Sequence, residues 1–119
     1  MSTDESATEP ASATIAEVLR VVPGFRSEET DGLVAALTPS LERRLTRYRP
    51  EEVEMELSVK DRDTDEQRVV LEAWIAQGKR MRLVATSTRR DLDAAVLEVR
   101  DDLVTQINKH LTRIESQRR

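Results

Sequence analysis

From Val53 to Val59 the chain alternates without a break: Val53, Met55, Leu57 and Val59 are apolar, while Glu54, Glu56 and Ser58, with Glu52 before them, are polar. A period of two predicts a strand with one buried and one wet face. The pattern returns twice. Val69, Leu71, Ala73 and Ile75 interleave with Arg68, Val70, Glu72 and Trp74, and Met81, Leu83 and Ala85 with Arg82, Val84 and Thr86. Lys60 to Gln67 is a polar connection and Gln77-Gly78-Lys79 a tight turn, so these strands form an antiparallel meander. Upstream, Ile15 to Val22 opens apolar and ends at Pro23-Gly24, which predicts a strand with a turn behind it. Leu19 and Val21 face one side of it, and Val18, Arg20 and Val22 the other.

Two stretches repeat at helical spacing instead. Thr30-Asp31 can cap a helix carrying Leu33, Leu37, Leu41, Leu45 and Tyr48, which Pro50 stops. Pro39 lies inside this stripe. Either it kinks a long helix or a shorter helix starts at Thr38-Pro39; the leucines on both sides favour the long, kinked version. A second helix is predicted from about Arg89 to Ser116. Leu92, Ala95, Val96, Val99, Leu103, Ile107, Leu111 and Ile114 form its buried stripe, and Asp91 and Asp93 suit its N-terminus. At 1.5 Å per residue it spans roughly 40 Å and overhangs the sheet. The order β-α-β-β-β-α gives an α+β fold: one four-stranded sheet with two helices packed on one face, a core like that of double-stranded-RNA-binding domains.

Residues 1–14 fit no such pattern. They are mostly Ser, Thr, Ala and Glu, with no apolar side chain larger than Ala after Met1, and read as a disordered acidic arm ahead of a domain over 15–119. The whole chain of 119 residues has a net charge of −4, but Asp4, Glu5 and Glu9 in the arm supply three of those charges. With no Cys, disulfide scaffolds and thiolate metal sites are excluded and a reducing cytoplasm is expected. No apolar run is long enough for a bilayer, and the start lacks a signal peptide's basic and apolar regions.

The connectivity also sorts the bases. The start of the second strand, the third-to-fourth turn, the start of the fourth strand and the ends of both helices fall at one end. Arg43, Arg44, Arg47, Arg49, Lys79, Arg80, Arg82, Lys109, Arg113, Arg118 and Arg119 should gather there, against Glu42, Glu51, Glu52 and Glu115. Glu28, Glu29, Asp61, Asp63, Asp65 and Glu66 go to the opposite end, relieved by Arg26, Arg62, Arg89 and Arg90. A local basic excess can engage phosphates even in an acidic chain. The bland alternative is that helix ends attract Arg and Lys for dipole and solubility reasons.

Several segments carry a family likeness. Gly24, Thr30 through Tyr48, Leu57-Ser58, Glu72-Ala73, Leu83-Val84-Ala85 with Asp91-Leu92-Asp93-Ala94-Ala95-Val96, and Leu103 with Gln106-Ile107-Asn108-Lys109 occur in order. Together they resemble the ribosome hibernation promoting factor and ribosome-associated inhibitor family of bacteria, in its short form. The likeness runs from about Val18 to Arg113. It implies a protein that binds the small ribosomal subunit near the decoding centre and blocks messenger and transfer RNA when growth slows. Arg43, Arg47 and Lys109 match positions that lie against 16S ribosomal RNA in that family. With their neighbours at the basic end, the candidate RNA-binding set is Arg43, Arg44, Arg47, Arg49, Lys79, Arg80, Arg82, Lys109, His110 and Arg113. The chain departs from the family at Asp93, where an aromatic is usual, at Asp102 and Thr105, where bases are common, and at Pro39.

Other constellations carry less. Asp61, Asp63, Asp65 and Glu72 match four positions of a calcium loop, but Glu66 stands where that loop needs Gly. His110, the only histidine, has no second imidazole or cysteine to share a metal. Trp74 and Val70 share the open sheet face with Arg82 and Arg20, either as an amphipathic cover or as a contact surface. Leu97, Val104 and Leu111 add a flank to the last helix that packs on the first helix, with a homodimer contact as the less favoured reading. No catalytic set, metal site or cofactor motif emerges. The leading expectation is a non-enzymatic ribosome-binding inhibitor of translation. The alternatives are a protein-interaction or regulatory module on the same fold with weakened or lost ribosome binding, and a binder of double-stranded RNA.

Overall fold

The computed structural model describes residues 12–77 and 79–117, with side chains over 12–76 and 80–112. In chain order these form a helical turn α1 (Ile15–Val18), strand β1 (Leu19–Val21), helix α2 (Ser27–Arg44), strands β2 (Val53–Lys60), β3 (Arg68–Gln77) and β4 (Lys79–Ser87), and helix α3 (Leu92–Gln117). The fold is α+β, with a four-stranded sheet in the order β1-β2-β3-β4. The alternating segments pair antiparallel as expected, Met55 opposite Ala73 and Leu71 opposite Ala85. β1 pairs parallel to β2, Leu19 opposite Met55 and Val21 opposite Leu57. Parallel neighbours need a crossover, and α2 supplies it.

One sheet face is apolar and buried. Val53, Met55, Leu57, Val69, Leu71, Ala73, Ile75 and Ala85 form one core with Leu33, Leu37 and Leu41 of α2 and Ala95, Val96, Val99, Leu103 and Ile107 of α3. Ile114 of the expected stripe falls beyond the described side chains. The arm read over residues 1–14 lies outside the described residues as far as Ala11. Residues 12–14, however, are docked: Ala13 is buried and its N–H donates to the Tyr48 carbonyl at 2.8 Å.

The expected strand over residues 15–22 is instead a helical turn followed by three strand residues. Ile15 and Val18, three apart, both reach the core, and the Glu42 carboxylate accepts the Ile15 N–H at 2.8 Å. A short apolar run suits either conformation, and these tertiary partners select the turn.

α2 begins at Ser27, before Thr30-Asp31. The Glu29 carboxylate accepts the Arg26 N–H at 2.8 Å while the Glu29 N–H donates to the Arg26 carbonyl. This reciprocal pair satisfies groups that the helix start leaves open. Pro39 sits inside a continuous helix, so the long version holds. Proline cannot donate to the carbonyl of Ala35. On either side of that gap, Thr38 Oγ1 donates to the Val34 carbonyl at 2.7 Å and Arg100 of α3 to the Ala36 carbonyl at 3.2 Å. α2 ends at Arg44; Leu45–Arg47 tighten into a 3-10 turn and Tyr48 is extended. α3 starts at Leu92, not Arg89. The buried Gln67 amide holds the carbonyls of Arg89 and Arg90 at 3.0 and 3.1 Å, which keeps both residues in the loop.

Gly24 closes the turn after β1 with φ +125°, and a Cβ there would lie 2.9 Å from Val59 Cγ1. Gly24→Ala therefore meets both backbone strain and a clash, and should cost about 1–3 kcal/mol in urea unfolding. Tyr48 is buried, yet its hydroxyl has no hydrogen-bond partner among the described residues. Burial also pushes its phenol above the ordinary range. Removing an unsatisfied hydroxyl relieves its desolvation, so Tyr48→Phe should raise stability by about 1 kcal/mol in the same measurement.

Candidate nucleic-acid interface

The candidate bases divide between two faces. α2 and α3 lie side by side and run in the same direction, since Ala36 meets Arg100 and Arg44 meets Asn108 in order along both helices. This brings Arg43 and Arg44, in the last turn of α2, beside the middle of α3's second half. Arg44 Nε donates to Asn108 Oδ1 at 3.3 Å and its Nη1 to the Ser40 carbonyl at 3.4 Å, both neutral acceptors. Arg43 and Lys109 are exposed and have no ion pair among the described residues. Thr105, Asn108, Lys109 and Thr112 line a shallow depression on α3. Lys109 and half-buried His110 also border a hollow against Met81 and Leu83 of β4. Arg47 is exposed in the 3-10 turn that follows α2.

Arg80 and Arg82 do not join this group. Met81 pairs with Ile75 and shares its inward face, so Arg80 and Arg82 stand on the open side of the sheet. Arg82 binds Glu72 at 2.6 Å, Arg80 binds Glu54 at 3.4 Å and Arg20 binds Glu56 at 3.0 Å. Half-buried Trp74 lies among them, opposite Glu54 on one side and Arg82 on the other. Sequence position put these arginines at the basic end; strand alternation turns them away from the helices and gives each a carboxylate. Arg49 faces Glu51 at 3.7 Å. The side chains of Lys79 and Arg113, together with all of Arg118 and Arg119, lie outside the described residues, as does Gly78 of the expected turn.

The opposite end is acidic but internally paired. Arg62 bridges the β2–β3 loop to α2, forking onto both Glu29 oxygens at 2.9 and 2.5 Å, and Arg90 binds Asp65 at 2.7 Å. Asp61 and Asp63 adopt left-handed backbone (φ 51° and 68°) in the turn. Glu72, the last position of the calcium-like pattern, is committed to Arg82 on the sheet. Ser87 donates to Glu98 at 2.5 Å, which with Arg89 holds that carboxyl below its ordinary range. Leu97, expected as part of an apolar flank, remains 40% exposed beside a groove between the N-terminal halves of α2 and α3, while Val104 and Leu111 pack against the core.

Among the described residues, no group of His, Cys, Asp and Glu could hold a metal ion, and no helix is long and apolar enough to cross a membrane. Set against known families and characterised proteins, the chain matches no family model and no individual sequence.

The Arg62 fork and the Arg26 N–H together hold the Glu29 carboxyl at about 2, well below its ordinary 4.5. A depressed carboxyl stabilises the folded state above its ordinary pKa. That contribution is lost as pH falls from about 4.5 toward about 2, because the unfolded chain takes up the proton first. Glu29→Gln should therefore lower the melting temperature at pH 7 and flatten its fall across that acid window. Parallel melting curves at pH 7, 4 and 2.5 check this.

Proposed function

We propose that this protein binds the small ribosomal subunit as a hibernation-type factor, occupying space near the decoding centre so that messenger and transfer RNA cannot enter. The effect is steric and cytoplasmic, with no chemistry performed. The observation that carries this reading is the group formed by Arg43, Arg44 and Lys109 at one end of the helical layer. Most other described bases are committed to carboxylates, whereas these three are not. Bases without a carboxylate partner can meet phosphates without first breaking an ion pair. Arg43 and Lys109 are also positions at which the sequence resembles the hibernation family, and the β-α-β-β-β-α order agrees with it.

A regulatory protein-interaction module is the second reading. Asp101 and Asp102 are exposed on α3, about two turns before Lys109, and Arg20, Arg80 and Arg82 on the open sheet face are paired with carboxylates. Both features weaken attraction to RNA.

Sedimentation with separated ribosomal subunits tests the proposal. The full chain should pellet with small subunits at low salt. Replacing both Arg43 and Lys109 with Gln should lower affinity about tenfold or more and reduce the salt slope by about 2, one unit per lost phosphate contact. Asp102→Lys with Thr105→Lys should strengthen binding. Failure to pellet with small subunits at low salt overturns the reading, and equally tight binding to a plain RNA duplex replaces it with a shape-reading double-stranded-RNA binder.

A further inference from the structure

The structure shows where the acidic segment 1–11 leaves the domain. Ser12 Oγ donates to the Thr46 carbonyl at 3.1 Å, and the Ala13 N–H donates to the Tyr48 carbonyl at 2.8 Å. These acceptors lie within the stretch Arg43-Arg44-Leu45-Thr46-Arg47-Tyr48-Arg49. The chain therefore enters the domain beside the C-terminal end of α2. Residues 1–11 contain Asp4, Glu5 and Glu9 and no Lys or Arg. An acidic segment is thus tied directly to the end of the molecule where Arg43, Arg44 and Lys109 lack carboxylate partners.

We propose that segment 1–11 docks across this end and competes there with a polyanion for the same bases. Charge complementarity identifies the occupant, because three carboxylates meet three bases that no other described carboxylate neutralises. Reach permits it: eleven residues can extend about 36 Å, and Arg44 already touches Asn108 next to Lys109. The tether supplies the strength. A short linker holds its two partners at an effective concentration in the millimolar range, so a contact too weak to matter between separate molecules is populated within one chain. The segment then acts as an intramolecular brake, and its release depends on salt or on a stronger polyanion. Regulation in this sense rests on the RNA-binding reading above, whereas the docking itself does not.

Two measurements separate the docking from the function. The chain has no cysteine, so Ser6→Cys accepts a single nitroxide label. Thr46 and Tyr48 lie beside the tether and will broaden in any case; Lys109, far along the sequence, is the informative amide. At low salt its NMR signal should broaden in the labelled full chain. It should recover at about 1 M salt, where screening shortens to about 3 Å, and in a labelled variant that also carries Asp4→Asn, Glu5→Gln and Glu9→Gln. No broadening at Lys109, broadening indifferent to salt and to neutralisation, or broadening centred on Arg80 and Arg82 instead would each overturn the docking. In sedimentation, the unlabelled neutralised variant should bind small subunits about three- to tenfold more tightly than the parent at low salt. Equal affinity overturns the brake. Should neither protein pellet while Lys109 still broadens, the ribosome reading falls and the docking stands.

Discussion

The parallel pairing of β1 with β2 is the constraint from which the charge layout follows. β1 and β2 run the same way, so α2 must run back between them. β3 reverses and β4 reverses again, so α3, following β4, also runs back. The two long helices therefore point in one direction, and the contacts Ala36–Arg100 and Arg44–Asn108 fix them side by side. Parallel helices place their dipoles unfavourably alongside one another, and charge at the ends offsets this. Glu28 and Glu29 occupy the first turn of α2 and Asp93 that of α3, while Arg43 and Arg44 close α2. The Arg62 fork onto Glu29 then ties the acidic start of α2 to the β2–β3 loop.

Helix-dipole compensation accounts for Arg43 and Arg44 but stops short of Lys109. α3 continues to Gln117, so Lys109 stands about two turns before the end of its own helix. It is brought to the basic group only by the side-by-side register with α2. A helix ten residues shorter would end at Ile107 and lose only Leu111 of its described apolar stripe, since Ile107 is the last fully buried apolar position among the described residues. If burial alone set the length, α3 could have ended within a turn of Ile107. Its overhang carries polar and basic residues past the end of α2, which suits a surface that meets something other than this domain.

The three meander strands were legible because alternation over six or more residues leaves one face apolar and no competing period. The long helices were legible for the same reason at their own spacing, and the leucines on both sides of Pro39 outweighed the missing hydrogen bond. Residues 15–22 were not legible as they fold. Their conformation is selected by Glu42 and by the core beneath Ile15 and Val18, far away in sequence. The start of α3 was displaced for a similar reason, because Gln67 holds the Arg89 and Arg90 carbonyls. At the candidate site, topology alone gathered the bases at one end, but the face on which each stands depends on alternation. Arg80 and Arg82 show the difference: the end was read from connectivity, while their carboxylate partners Glu54 and Glu72 come from neighbouring strands.

That difference decides which bases a polyanion can use. Engaging Arg82 means parting it from Glu72, whose side chain is only 19% exposed and would be left partly buried without a partner. Engaging Arg80 means parting it from an exposed Glu54, an interaction worth about 0–1 kcal/mol. In both cases a carboxylate remains on the sheet beside the incoming phosphate and repels it. At the ends of α2 and Lys109 neither cost arises, because Arg44 already spends its hydrogen bonds on neutral acceptors that water or phosphate can replace. The chain's formal charge of −4 therefore misstates its surface. Acidic residues pair with Arg20, Arg80 and Arg82 on the open sheet face, whereas Arg43, Arg44 and Lys109 have no carboxylate partner among the described residues at the end of the helical layer, where the acidic segment enters.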